Sequence, residues 1–309
     1  MKHSSKVPGY YFVEFALLRI LVFLLSLFPL ESLDAFIQTA AAWVYRASPK
    51  RRQTALANLD LAFKDTKSQE EKERIALASF QHAALAFLEF LTIEKRMNRA
   101  PTEHFEFSGT EHLDQAFSRG KGIIFVISHL GSWEYLAFLP FLRSTPCSVV
   151  VRPIKNPYVY RWVQRLRRAT KLNPIDKNKS VKEILHELKS NHLVAILIDQ
   201  WAGNDGIWVD FFGKATSTTS VPARLAKKYG AALVPARCLR TRAGHYKIMI
   251  EPAVEVSGGE TWERDTTVDL NRWLEYSIRA LPEQWIWSHR RWRAARKEPD
   301  KSLSHSPQP

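Results

Sequence analysis

Two short runs constrain this chain more than anything else in it: Gly122-Ile123-Ile124-Phe125-Val126-Ile127 and Leu193-Val194-Ala195-Ile196-Leu197-Ile198. After the glycine, every position in both is apolar. A strand with one wet face alternates apolar and polar residues. A strand that is apolar throughout and bounded by turn residues is covered on both faces, as in parallel sheets sandwiched by helices. Each run then stops at a residue that carries chemistry. The first ends at Ser128-His129 and the second at Asp199-Gln200. A third run, Cys147-Ser148-Val149-Val150-Val151, ends at Arg152-Pro153. In open α/β sheets, ligands bind at strand ends of this kind.

The remaining patterning supports an α/β class with a mixed, largely parallel sheet flanked by helices. Residues 33–46 and 69–95 have helical periodicity, the second with an apolar stripe through Ile75, Leu77, Ala78, Leu85, Leu88 and Leu91. Phe105 to Ser108 reads as a strand. A helix capped by Thr110 follows and ends at Gly120. Ser132 is expected to cap a helix over 132–142, which puts Glu134 in its first turn. Helices are predicted over 157–171, 180–190, 219–229 and 264–280, and strands over 231–240 and 246–256. Ser302 to Pro309 reads as a disordered tail. The expected organisation is a membrane segment over 1–32, a single α/β unit over 33–300 and a tail over 301–309.

Tyr10 to Leu30 is the membrane candidate. As one helix it spans about 31 Å, close to a hydrocarbon core of about 30 Å. Glu14 and Arg19 interrupt it. An arginine at mid-bilayer costs roughly 3 kcal/mol, less where it can snorkel. Two other readings compete. One is a cleaved signal peptide, with Lys2 and Lys6 as its basic start; the small-residue run Ala40-Ala41-Ala42 lies far downstream for cleavage. The other is a helix lying in the membrane interface. The chain carries 45 Lys and Arg against 31 Asp and Glu, a net +14, which predicts acidic partners without choosing among them. Arg161, Arg165 and Arg168 share one face of a predicted helix. Arg290, Arg291, Arg293, Arg296 and Lys297 cluster around Trp292. Only Cys147 and Cys238 are present, without metal-ligand spacing, so neither a disulfide framework nor a zinc ribbon is expected.

If the three apolar runs are parallel neighbours, His129, Arg152 and Asp199 converge at one rim of the sheet. Singly each has a bland explanation: an exposed strand-end histidine, a surface ion pair, a turn-forming aspartate. Together, beside Glu134, they read as a site. His129 is the candidate general base, since its ordinary pKa near 6.5 suits proton transfer at neutral pH. Glu134 is expected to accept the other imidazole proton and orient the ring. No Gly-x-Ser-x-Gly elbow is present, so a covalent acyl-enzyme is not required.

His129-Leu130-Gly131-Ser132-Trp133-Glu134 resembles the HX4(D/E) signature of glycerolipid acyltransferases. The wider pattern resembles the bacterial lipid A biosynthesis acyltransferases, which add secondary lauroyl or myristoyl chains. It includes Asn58-Leu59-Asp60-Leu61-Ala62-Phe63, Arg152-Pro153-Ile154-Lys155-Asn156-Pro157, Asp199-Gln200 and Phe211-Phe212-Gly213. Pro282-Glu283-Gln284-Trp285-Ile286-Trp287-Ser288-His289-Arg290-Arg291-Trp292 completes it. Ser132 departs from the pattern, since many members carry Asn before the Trp. The resemblance implies a fold of glycerolipid acyltransferase type and transfer of an acyl chain from a thioester, held by acyl carrier protein or CoA, to a hydroxyl of a lipid A precursor or similar glycolipid. It implies His129 and Glu134 as catalytic, with Arg152, Asp199 and Gln200 binding substrate and Arg152 meeting an acceptor phosphate or the oxyanion. Neither metal nor organic cofactor is called for. The expected setting is the anionic inner membrane of a bacterium, facing the cytoplasm. The rival classes are a nucleic-acid-binding protein, suggested by basic residues among tryptophans, and a membrane-attached binding protein without catalysis. No recognisable nucleic-acid module supports the first.

Overall fold

A computed structural model describes residues 8–97, 104–138, 145–176 and 180–293. Lys2, Lys6, residues 139–142, Arg296, Lys297 and the tail lie outside the described residues. Five helices come first: α1 (Gly9–Leu25), α2 (Leu30–Ala47), α3 (Pro49–Phe63), α4 (Gln69–Leu91) and α5 (Ile93–Met97). The α/β part then runs β1 (Phe105–Ser108), α6 (Thr110–Ser118), β2 (Ile123–Ile127), β3 (Cys147–Val151), α7 (Pro157–Ala169), β4 (Leu172–Asp176), α8 (Ser180–Lys189) and β5 (Leu193–Leu197). It closes with β6 (Ile207–Phe211), β7 (Lys214–Thr218), α9 (Val221–Tyr229), β8 (Ala232–Arg242), β9 (His245–Ile250) and α10 (Trp262–Ala280).

Seven strands form one sheet in the order β1-β9-β8-β2-β5-β3-β4. Every pairing is parallel except β8 with β9. The sheet is therefore mixed and largely parallel, with helices on both faces. The apolar runs are buried on both sides, as their composition requires. Ile123, Phe125 and Ile127 point into one core, and Ile124 and Val126 into the other. Leu193 and Ala195 divide from Val194 and Ile196 in the same way. Each of the larger of these side chains, Val, Leu, Ile and Phe, contributes roughly 1.5–3 kcal/mol by burial.

β2, β5 and β3 are parallel neighbours, so their carboxyl ends share one rim. The register is the decisive detail. Ile127 pairs with Leu197, which puts His129 and Asp199 each two residues beyond a registered pair.

Several elements differ from expectation. Trp133–Phe138 is a 3-10 helix rather than the start of an α-helix, and the Ser132 hydroxyl bonds Glu89 instead of capping it. The hairpin of β6 and β7, edge strand β4 and helix α3 carry weaker periodic signals and were not anticipated. β4 contains Pro174, which a sheet tolerates best at an edge. The strand predicted over 246–256 stops at Ile250, just before Pro252.

The N-terminal segment is also divided. α1 ends at Leu25 and Pro29 precedes α2, so Tyr10 to Leu30 is not one rod. With 17 residues, α1 is about 26 Å long. Phe15, Leu18 and Val22 turn one stripe of it toward the α/β core. Among the described residues, α4 is the one helix at once long and apolar enough to cross a membrane. It is a core helix here, started by a capping box between Ser68 and Glu71 and packed on α2 and α3.

Gly122 opens β2 at φ +74°, and a Cβ there would lie 2.6 Å from the Leu188 carbonyl oxygen. Gly122→Ala is expected to destabilise the fold by roughly 1–3 kcal/mol, from the left-handed backbone and this contact together. Denaturant unfolding of the two proteins checks it.

Candidate active site

His129 meets Asp199, and the two are locked together by geometry. The imidazole Nδ1 is 2.9 Å from Asp199 Oδ1, while the His129 backbone N–H donates to Oδ2 at 2.9 Å. The Trp285 indole N–H donates to the same Oδ2 at 2.9 Å. Asp199 is buried at 2% exposure. Burial alone would raise its pKa, but the facing imidazole and the donors from His129 and Trp285 overturn that and hold it down to about 2. For His129, burial opposes the charged ring. The Asp199 carboxylate and its hydrogen bond outweigh burial, with Glu134 adding a further negative charge, and the pKa ends above its ordinary value. An ionised Asp199 acts only as acceptor, so Nδ1 carries the proton and Nε2 keeps its lone pair. Gln200 Nε2 lies 3.4 Å from His129 Nε2.

The loop that carries His129 is held from behind. Gly131 adopts φ +66°, and a Cβ would stand 2.1 Å from the Cys238 carbonyl oxygen on β8. Only glycine permits that approach. The Gly131 N–H donates to the Gln284 carbonyl and the Ser132 N–H to that of Cys238. Beneath it lies a buried ionic network. Arg240 forks onto Glu89 through Nε at 2.7 Å and Nη2 at 2.8 Å. Both side chains are almost wholly buried. Ser132 donates to Glu89 at 2.7 Å, and so does the Tyr246 hydroxyl at 2.9 Å. Arg240 Nη1 is 2.6 Å from His82 Nδ1. Burial, then the arginine charge, pushes His82 down to about 3, leaving it neutral as an acceptor.

His129, Glu134, Arg152 and Gln200 all line one cavity of about 630 Å³, within the range of small-molecule sites. Phe125, Ile127, Val149, Ala195 and Leu197 give it apolar walls. Arg152 is exposed at its rim. The expectation that Glu134 orients the imidazole is corrected by these contacts: Glu134 bonds Arg167 at 2.5 and 3.3 Å. Asp199 takes the orienting place because the strand register delivers it beside His129, while the 3-10 turn carries Glu134 elsewhere. Asp199, expected to bind substrate, is buried and accepts from His129 and Trp285. Arg291, expected in an exposed basic cluster, is fully buried and bonds the carbonyls of Gln200 and Ser217 and the Thr218 hydroxyl. Burial raises the thiol pKa of Cys147 and Cys238, which leaves neither poised as a nucleophile.

Arg167, Glu89, Arg240 and Trp285 are the site residues that sequence reasoning did not single out. Trp285 stood within a quoted motif. Arg167 was obscured by its basic neighbours on α7. Glu89 and Arg240 carry no local signal, since 151 residues separate partners that touch.

The family described as bacterial lipid A biosynthesis acyltransferase matches residues 1–294. The chain is 27% identical over 263 residues to the lipid A biosynthesis palmitoleoyltransferase of Escherichia coli (strain K12), covering 84% of each chain. It is 27% identical to the lipid A biosynthesis lauroyltransferase of the same organism, covering 80% of this chain and 81% of that one. It is also 26% identical to a phosphatidylinositol mannoside acyltransferase of Mycobacterium tuberculosis (strain ATCC 25618 / H37Rv), covering 60% of this chain and 59% of the relative.

Arg240→Ala strips the buried Glu89 carboxylate of its counter-ion and two charge-assisted hydrogen bonds. A loss of about 3–5 kcal/mol in unfolding free energy is expected, and a thermal or urea melt measures it.

Proposed function

The chain belongs to the bacterial lipid A biosynthesis acyltransferase family and is an acyltransferase; on that premise we propose how it works. It moves a fatty acyl chain from an acyl thioester, carried by acyl carrier protein, to a hydroxyl of a lipid A precursor. The observation that supports this best is the His129–Asp199 pair, which leaves the lone pair on Nε2, beside the Gln200 amide, in a residue that lines a cavity with apolar walls.

His129 Nε2 removes the proton of the acceptor hydroxyl as its oxygen attacks the thioester carbonyl. Asp199 fixes the tautomer and stabilises the imidazolium that forms. The carbonyl oxygen becomes an oxyanion, and the Gln200 side-chain amide, already within 3.4 Å of Nε2, is placed to donate to it. Collapse breaks the C–S bond, and the leaving thiolate takes the proton from His129. Arg152, exposed at the cavity rim, meets a phosphate of acceptor or donor. Glu134 acts through Arg167, holding that guanidinium in the cavity wall. The acyl chain lies along Phe125, Ile127, Val149 and Leu197.

The enzyme works at the inner membrane, facing the cytoplasm. The segment 1–32 seats it there, and the α/β unit over 33–300 carries the chemistry. Tyr10, Phe12, Leu17, Ile20 and Phe23 of α1 are exposed apolar side chains, suited to lipid. Arg161, Arg165 and Arg168 are exposed along α7 and suit anionic headgroups or an acidic carrier. The phosphatidylinositol mannoside relative favours a second acceptor class, another glycolipid. Mass spectrometry of membrane lipids with and without the active enzyme separates the two.

His129→Ala is expected to lower acyl transfer by roughly 10²–10⁴-fold with folding intact. Transfer near the wild-type rate by the purified variant would remove His129 as the base. The rate should rise with pH through a pKa above the ordinary histidine value, because the base acts only when neutral and the Asp199 charge favours the protonated form. Asp199→Asn should cut the rate and move that limb to lower pH. A pH–rate profile whose acid limb stays in place would sink the pairing.

A further inference from the structure

Asn156 sits between the N-terminal helix and the cavity, and its side chain is saturated with partners. Its Oδ1 accepts from the N–H groups of Tyr158 and Val159, at 3.0 and 3.3 Å, and so caps α7. Its Nδ2 donates to the Tyr11 carbonyl at 2.8 Å and to Glu14 Oε2 at 3.1 Å, both on α1. Two acceptor and two donor positions are the full capacity of an amide, and all are used. Asn156 is 5% exposed. The cap explains the acceptor half. Nothing about α7 requires the donor half.

α1 explains it. The helix meets the protein along one stripe and is apolar and exposed elsewhere. Leu17, Ile20, Leu21, Phe23 and Leu24 are each at least half exposed. A surface of that size is stable against hydrocarbon and not against water. At about 26 Å, α1 is short for a simple span, and its docked stripe is tied to α7. Phe15 packs on Trp162, and the Arg19 guanidinium lies 4.8 Å from that indole centroid. The loop before α7 begins with Arg152, and Arg152 and Ile154 both line the cavity. One side chain therefore joins the lipid-facing helix to the segment that forms the cavity rim.

We propose that Asn156 is a positioning residue: it clasps α1, lying in the bilayer, to the loop carrying Arg152, and so holds the cavity mouth where a membrane-borne acceptor enters. This rests on the acyltransferase reading above. It assigns a role to the Asn-Pro step that closes the Arg152–Pro157 motif.

The chemistry supplies a discriminating pair of variants. Asn156→Asp keeps both capping acceptor positions, loses both donors and sets a second carboxylate against Glu14. Adding Glu14→Gln removes the repulsion and restores one hydrogen bond with donor and acceptor exchanged. With acceptor glycolipid in vesicles and acyl carrier protein thioester as donor, N156D is expected to raise KM for the acceptor roughly tenfold. Its kcat should stay within about twofold, and E14Q/N156D should recover most of the loss. A wild-type KM in N156D, a fall in kcat with KM unmoved, or no recovery in the double variant overturns the clasp. A substrate-free measurement keeps it separate from the choice of acceptor. Spin labels at Leu17→Cys and Val181→Cys, both exposed sites, should give a narrow distance distribution, broadened by N156D and narrowed again by E14Q. If that pattern holds while the wild type acylates no glycolipid, the clasp stands and the acceptor reading falls. An unchanged distribution overturns the clasp whatever the activity.

Discussion

The Asp199 carboxylate sits at the carboxyl rim of the sheet with almost no access to water, and three donors converge on it. A charge buried there without partners would cost several kcal/mol. The partners come from different parts of the chain: the end of β2 supplies the His129 ring and N–H, and the C-terminal segment supplies Trp285. Satisfying one carboxylate therefore fixes the imidazole tautomer, closes the β2–β5 rim and docks the last segment of the fold. Trp285 also pairs back to Leu130 and meets Phe211 and Trp287 edge-on, so the tryptophan-rich end of the chain backs the reactive loop.

A second ionic pair does comparable work one layer behind. Glu89 on α4 and Arg240 on β8 are buried among Ser132, Tyr246 and His82. The pair fixes the start of the 3-10 turn that follows His129, and it uses nearly every polar position it owns. α4, among the described residues the one helix both long and apolar enough to cross a membrane, thus carries a buried glutamate that serves the loop behind His129. α1 keeps Leu17, Ile20, Leu21, Phe23 and Leu24 exposed on one side, and its docked side is tied by Asn156, Phe15 and Arg19.

The class of fold was legible in β2 and β5 because full apolarity over five or six residues has few structural solutions. The rim was legible for a related reason: an apolar run that stops at His129 or Asp199 marks a strand end with unusual content. The hairpin of β6 and β7 was not legible. Trp208, Asp210, Thr216 and Ser217 mix polar and apolar residues, and the strands are held by Arg291 and Asn271 from distant segments.

By itself the sequence determined the apolar strands β2, β3 and β5, a mixed and largely parallel sheet, the candidate base His129 and the family to which its motifs belong. These depend on local composition and short spacing, which a linear reading preserves. Only the tertiary structure decided who partners whom. Five residues of separation made Glu134 look like the orienting acid, yet strand register brings Asp199, 70 residues away, to 2.9 Å from the imidazole, and leaves Glu134 to Arg167. Register is a property of two strands together, so no single stretch of the chain encodes it.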